Sequence, residues 1–441
     1  MVLDNGRGTG EFGAIRRVAM ISVHTSPLAR LGEKDAGGLN VYVRELSRQL
    51  GRLGVAVDIF TRRADPDVPD IVPCDENVRV VHVSAGPPAP VDKNALFDLL
   101  PGFASEMALF ALRDGVSYDV VHGHYWLSGW VAHLLRRYWD VPVVQMFHTL
   151  GHLKQDAARA AGAADGGESA QRIAIEREVM ERADAIVAAN ARERAEMVWW
   201  YGMRAPKIAT IGCGIDLDLF RPRVRAAARA ALGFGDAPAL LYVGRIDPVK
   251  GIGFLLDGFA RLRADWRGPV APRLDIVGGE LRGGELGPDL AGLRDRAAAR
   301  GVADGIHFHG PRPHEALPEY YAAADVAVVP SRYESFGLVA VEAMACGTPV
   351  VASHVGGLAY TIEDGENGFL VPYGDGEALA GALARVLGDD ALRARLGAGA
   401  LATAAGHSWA GVTRQVLALY RDLAARRGAA VGAGLCLYGG D

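Results

Sequence analysis

"ADVAVVPSRYESFGLVAVEAMACGTPVVAS" (residues 324–353) decides how the chain is read. Its first seven residues are apolar apart from one aspartate, too few for a helix, and they end on proline: a buried strand. "SRYESFG" is turn chemistry. "LVAVEAMACG" runs as a helix that starts near Ser335–Leu338 and stops at Gly347, and "TPVVAS" is apolar again. Strand, helix and strand, with no polar alternation in either strand, make the pattern of a parallel sheet covered on both faces.

The same stretch poses a chemical question, because Glu334 and Glu342 bracket the turn and the start of the helix. The first N–H groups of a helix are unsatisfied donors at the positive end of its dipole. Glu334, just before them, is a poor partner for phosphate but can accept from sugar hydroxyls. Glu342, about one turn in, can take both hydroxyls of a ribose, as an acidic residue does in dinucleotide folds. The plain alternative is an N-cap carboxylate followed by a partly buried, hydrogen-bonded glutamate.

Outward from this unit the alternation continues in both directions. "PALLYVGRID" (238–247), "RLDIVGG" (273–279), "GIHFHG" (305–310) and "GFLVP" (368–372) join the two strands above in one series. An earlier series comprises "VAMISVH" (18–24), "VAVDIFTR" (55–62), "VRVVHVSAG" (78–86), "YDVVHGHYW" (118–126), "VPVVQMFHT" (141–149) and "ADAIVAAN" (183–190). Between the two series lies the Gly- and Pro-punctuated "IGCGIDLDLFRPR" (211–223), read as a linker. The expected organisation is therefore two doubly wound α/β domains, residues 16–211 and 212–407. A tail over 1–15, an amphipathic helix over 408–427 and a loose end over 428–441 complete it. At 441 residues, two domains are also the expectation from size alone.

Composition excludes several classes. A formal net charge of −5 gives no nucleic-acid footprint. No run of about 18 apolar residues reads as a membrane span, and the first residues lack the apolar core of a secretory signal. The four cysteines have neither CxxC nor metal-type spacing, which fits a reducing cytoplasm.

In such folds ligands sit beyond the carboxyl ends of strands, and the other candidates cluster there. Arg245 and Lys250 follow the strand of "VGRIDPVKGIGFLL"; two fixed cations suit a diphosphate leaving group, where charge develops as a bond breaks. The alternative is a pair of solvated surface cations. Gly37-Gly38 opens a helix whose amides can approach a phosphate, or is an ordinary helix-start turn; no GxGxxG is present. His24, His122, His124 and His148 lie at or beyond strand ends of the first domain. His122 and His124 share a strand face, which admits metal ligation, but no carboxylate or cysteine is obliged to join them, so hydrogen-bonding roles are favoured. The triplets Asp65-Pro-Asp67 and Asp216-Leu-Asp218 fall in a Pro-rich loop and in the linker and are read as decoys. No metal site is assigned.

Taken together, "DAGGLNVYV", "HGHYW", "FHTLG", "GRIDPVKG", "PRPHEALPEYYAAAD" and "RYESFGLVAVEAMACGTPVVAS" resemble the retaining glycosyltransferases of family 4, from about Val18 to the last helix. The resemblance implies the GT-B fold, two Rossmann-like domains facing a central cleft. It implies transfer of a sugar from a nucleotide-sugar, UDP-GlcNAc or UDP-glucose, to a phosphorylated small acceptor such as inositol phosphate, with no cofactor and no essential metal. By the same resemblance the Gly38 amide, Arg245 and Lys250 meet the donor diphosphate, Glu342 the ribose, and the segment of Arg312 the base. Glu334 and the amides of Ser335, Phe336, Gly337, Leu338 and Val339 would hold the transferred sugar, with His148 beside it. Asn40, Lys93, Tyr125, Thr149 and Arg172 match positions that cradle the acceptor phosphate, Trp409 would strap the last helix to the first domain, and a homodimer is admitted. Leu39 stands where inositol-transferring members usually carry Met and sucrose-forming ones Gln, which keeps open transfer of glucose to fructose 6-phosphate or fructose. A sugar-nucleotide epimerase of the same fold is the alternative from a different class.

Overall fold

The computed structural model describes residues 14–29, 37–92, 95–153, 155, 170–282 and 285–436. These divide into two compact units: one holds the described chain up to Gly212 together with Trp409 onward, the other Cys213–Ser408.

In the first unit the strands are β1 (Arg17–Ile21), β2 (Ala56–Arg62), β3 (Ile71–Asp75), β4 (Val78–Val83), β5 (Val120–His124), β6 (Val143–Met146), β7 (Ala185–Ala188) and β8 (Ile208–Thr210). They pair in the order β3-β4-β2-β1-β5-β6-β7-β8, parallel throughout except for the antiparallel edge strand β3. Every residue of β5, β6 and β7 is buried. That follows from strands rich in Val, Ile, Ala and Met with helices on both faces, although β5 and β6 also bury His122, His124 and Gln145.

The second unit has β9 (Ala239–Val243), β10 (Arg273–Val277), a two-stranded hairpin β11 (Leu281–Arg282) and β12 (Glu285–Leu286), β13 (Ile306–Gly310), β14 (Val326–Val329), β15 (Val350–Ser353) and β16 (Gly368–Val371). Its main sheet runs β13-β10-β9-β14-β15-β16, all parallel. In each sheet the strand order reverses once, between β1 and β5 and between β9 and β14. Crossovers leave those two points on opposite faces, so the strand ends there stay open to a ligand.

Three details differ from the sequence reading. β3, β8 and the β11–β12 hairpin were not anticipated, β3 because it carries Pro73 and is half exposed, β8 because it is three residues long and the hairpin because its strands have two residues each. Ile15, assigned to the tail, is buried at the foot of β1. The last helix does not stop at residue 427 but runs Trp409–Cys436. It packs on helix Gly38–Arg52 of the first unit, with Trp409 set edge-on to Tyr42 at 5.3 Å. Residues 1–13 and 437–441 lie outside the described residues.

One carboxylate inside the first sheet is compensated by three donors. Asp58, on β2 and 1% exposed, accepts from Arg17 Nη1 (3.1 Å), Arg79 Nε (2.6 Å) and the Tyr118 hydroxyl (2.6 Å). Removing one partner of a buried charge network strands the others. Asp58→Ala is therefore expected to lower the unfolding free energy by about 3 kcal/mol. Asp58→Asn, which keeps an oxygen for Tyr118, is expected to lose less; urea denaturation of both variants reads the difference.

Candidate active site

In the second unit the site is built from the loops that leave β9 and β14. Asp247 caps the short 3-10 turn Pro248–Lys250 through Val249 N (2.9 Å), and the Tyr242 hydroxyl donates to Arg245 O (2.7 Å). Gly251 has φ 69°, and a β-carbon there would lie 1.8 Å from Pro330 O, so only glycine lets the two loops touch. Arg332 N donates to Val249 O at 2.8 Å and closes the contact. With the loops fastened, Lys250 Nζ lies 2.6 Å from Glu334 Oε2, and Ser331 adds a longer hydrogen bond to the same oxygen (3.4 Å). Arg245, further out and exposed, faces Asp247 at 3.7 Å.

Helix Leu338–Ala345 begins immediately beyond, with Gly337 at φ 89° as its N-cap. That left-handed residue turns the chain so that the first amides follow Glu334 directly. Ser335, Leu338 and Val339 keep partial exposure, whereas Phe336 is buried. Glu342 is 5% exposed, and both its oxygens are engaged: His314 Nε2 lies 2.8 Å from one and the Tyr321 hydroxyl 2.8 Å from the other. Burial, and then Glu342 itself, hold the Tyr321 hydroxyl protonated. Carboxylate oxygens have two lone pairs each, so Glu342 can still accept, in an orientation set by these donors. Arg312 is exposed on the loop after β13.

In the first unit the predicted residues gather at the ends of β5 and β6. Tyr125 (φ 76°) and His148 (φ 61°) are non-glycine residues in left-handed backbone, a strain that persists only where surroundings enforce it. Gln145, fully buried, donates to Tyr125 O and Met146 O, both at 3.0 Å, and Tyr125 N donates to Met146 O at 2.8 Å. Arg172, expected at the acceptor phosphate, is 2% exposed and held by Glu176 Oε1 (2.8 Å), Thr149 O (2.8 Å) and Thr149 Oγ1 (3.2 Å). Its guanidinium also lies over the Tyr125 ring at 4.9 Å. Glu176 accepts in turn from Gly151 N and the Tyr201 hydroxyl.

Asn40 is 2% exposed; its amide donates to Thr25 Oγ1 (2.8 Å) and Ser26 O (2.6 Å), and Gly37 N donates back to it (3.2 Å). Its visible work is to fix the helix start, at which Gly38 is exposed. Lys93 lies outside the described residues. Asp65 and Asp216 each close a local turn, onto Asp67 N (2.8 Å) and Asp218 N (3.1 Å). Among the described residues no group of three or more His, Cys, Asp or Glu is arranged to hold a metal ion. None of their helices is long and apolar enough to cross a membrane.

The sequence reading missed His314, Tyr321, Glu176, Tyr201 and Gln145. Only Arg172 and Glu176 carried a local signal, the i,i+4 spacing on helix Ala170–Arg182.

Comparison with known proteins settles the family. The Glycosyl transferases group 1 profile matches residues 224–402, and the Glycosyltransferase Family 4 profile matches 36–219. D-inositol 3-phosphate glycosyltransferase 1 of Catenulispora acidiphila is 44% identical over 413 residues, 93% of this chain and 96% of that protein. This chain belongs to the family 4 glycosyltransferases. It is also 45% identical to D-inositol 3-phosphate glycosyltransferase of Geodermatophilus obscurus, over 94% of this chain and 91% of that one. Among solved structures, sucrose-phosphate synthase of Thermosynechococcus elongatus superposes with a TM-score of 0.83 at 37% identity, covering 92% of this chain and 99% of that one. The two units thus have the GT-B architecture, and the chain is a glycosyltransferase.

The glycosyltransferase keeps neutral histidines beside its strand ends, His122 fully buried and His148 partly so. His122 and His148 are both brought down to about 3, chiefly by burial. Between that value and the ordinary 6.5 the unfolded chain binds protons that the folded one does not. Stability is then complete above pH 6.5 and falls as pH drops, by about 1.4 kcal/mol per pH unit for each ring. Urea midpoints between pH 7 and pH 4 should show that decline, and His122→Phe should reduce its slope by the share of one ring.

Proposed function

We propose that this glycosyltransferase moves a hexosyl group from a UDP-sugar, UDP-GlcNAc or UDP-glucose, to an inositol phosphate, with retention of configuration. The observation that carries the donor side is Lys250 held 2.6 Å from Glu334 at the β9/β14 reversal, ahead of a helix N-terminus. A sugar joined to a diphosphate presents hydroxyl donors and an anion only a few bonds apart. A carboxylate and an ammonium held together, beside unsatisfied amides, are complementary to that pair. The acceptor reading is supported by the likeness to D-inositol 3-phosphate glycosyltransferases over almost the whole chain. Arg172, Thr149 and Tyr125 form the matching polar cluster in the first unit.

In this reading the acceptor hydroxyl attacks the anomeric carbon on the face the diphosphate leaves. The new C–O bond forms as the old one breaks, and a departing phosphate oxygen takes the hydroxyl proton. Lys250 and Arg245 stabilise the charge that appears on the diphosphate, while Glu334, the amides after it and His148 orient the sugar. Catalysis is then positioning and charge stabilisation. With protein cations doing the neutralisation, transfer is expected to persist in EDTA. The reaction is expected in the cytoplasm, where its small-molecule substrates are made.

A second reading, glucosyl transfer to fructose 6-phosphate, is favoured by the 37% identity to sucrose-phosphate synthase. Product analysis decides between them, with UDP-GlcNAc and UDP-glucose each offered with an inositol phosphate or fructose 6-phosphate. UDP release only with an inositol phosphate supports the first reading; release only with fructose 6-phosphate transfers the protein to the second. In either case Lys250→Ala should lower kcat by about a hundredfold or more, the scale for one pre-organised electrostatic partner. Near-normal turnover in that variant would remove Lys250 from the mechanism.

A further inference from the structure

At the reversal of the first sheet, three side chains, from β1, β5 and the loop after β6, touch in succession. Met20 lies on β1, His124 is the last residue of β5, and His148 follows β6. Met20 Sδ lies 2.8 Å from His124 Nε2, and His124 Nδ1 lies 2.9 Å from His148 Nε2. Met20 and His124 are fully buried. Tyr42 presents its ring to both imidazoles, at 5.7 Å and 5.3 Å, and the His122 ring lies 4.2 Å from that of His124.

A thioether has lone pairs and no hydrogen, so it can only accept. A neutral imidazole has one N–H and one lone pair, and which nitrogen holds the hydrogen is set by the partner of the other. In contact with Met20, Nε2 of His124 is the nitrogen that gains from carrying the hydrogen. Its Nδ1 then offers a lone pair, and the nitrogen facing it, His148 Nε2, must donate. Burial keeps both rings neutral, so no second hydrogen is available to reverse the direction.

We propose that Met20 and His124 are positioning residues that hold His148 as its Nε2–H tautomer, so that the ring can offer a ligand only an acceptor, at Nδ1. An acceptor at that position reads a hydroxyl hydrogen and repels a phosphate oxygen. His148 thereby distinguishes the sugar from the diphosphate of one donor molecule. This consequence rests on the reading that His148 meets the transferred sugar; the tautomer does not.

Long-range 1H–15N spectra of the full chain labelled at histidine nitrogens read the tautomers without substrate. Both His124 and His148 are expected as Nε2–H. Met20→Leu keeps the volume but removes the sulfur lone pair facing His124 Nε2, and should move both rings toward Nδ1–H. It should also lower kcat about tenfold, the scale of one hydrogen bond. His124→Asn, whose side-chain oxygen can replace the Nδ1 lone pair, should keep His148 as Nε2–H and retain turnover within about threefold of wild type. His124→Leu should lose both. An Nδ1–H signal for His148 in the unaltered chain overturns the assignment. Unchanged tautomers in Met20→Leu overturn the role of the sulfur. If the tautomers behave as expected while Met20→Leu and His124→Leu turn over normally, the relay has no part in the reaction. That result leaves the donor-side reading, tested by Lys250→Ala, untouched.

Discussion

A parallel sheet with helices on both faces has no wet surface, and this constraint arranges everything else in the molecule. Backbone groups are satisfied within the ladder, side chains on either face meet apolar helices, and charge is tolerated only where partners are built in. Asp58, Asp275 and Asp325 show the rule from inside. Asp58 has two arginines and a tyrosine, Asp275 takes Arg273 and His309, and Asp325 draws on Arg225, Arg229 and Arg393. Chemistry is pushed to the strand ends, and among those ends the point of reversal is the one crossovers do not cover. Lys250 and Glu334 occupy that point in one sheet, and His124 and Tyr125 occupy it in the other.

The ion pairs of the two units have opposite characters. Lys250 and Glu334 retain 28% and 17% of side-chain exposure, so their attraction is screened and contributes of order 1 kcal/mol or less. Such a pair keeps both groups aimed while no ligand is present and yields readily to one that offers each a better partner. Arg172 and Glu176 are 2% and 0% exposed, and separating them would leave a bare charge in an apolar setting, at about 3–5 kcal/mol. That pair does not exchange partners; it fixes the guanidinium against Thr149 and Tyr125 as part of the framework. The same two residue classes, a cation and a glutamate, therefore make a replaceable contact in one unit and a permanent one in the other, and burial is what decides.

Burial also explains what was legible in the sequence. The strands of both sheets could be read because a doubly covered strand must be a short apolar run, whatever its position in the chain. Arg245, Lys250, Glu334 and His148 could be read because they follow such runs. β3 and β8 could not: an edge strand needs only one apolar face, and a three-residue strand carries no period. The residues that orient the site were harder still. His314 and Tyr321 reach Glu342 from 28 and 21 positions away, and Gln145 reaches Tyr125 from 20. Nothing local announces such a contact. A buried Gln on an apolar strand and a Tyr in "PEYYAAAD" are each compatible with plain packing until the partner strand is in place.

The backbone at Tyr125 and His148 ties these threads together. A side chain in left-handed backbone is strained by about 1–3 kcal/mol, and glycine would relieve it at either position. Gln145 donates one hydrogen bond to Tyr125 O and one to Met146 O, the carbonyl that Tyr125 N also meets; at about 1 kcal/mol each they offset strain of that size without exceeding it. His148 is held by its bond to His124 and by the edge of Tyr42. Both side chains leave their strands at the abrupt turn that this backbone creates, so they stay at the strand ends instead of folding into the helical layers. A chain selected only for stability would place glycine at both positions. Keeping an aromatic ring and an imidazole there, with Gln145, His124 and Met20 buried beneath to hold them, is what a structure does when the direction of those two rings matters more than the strain they carry.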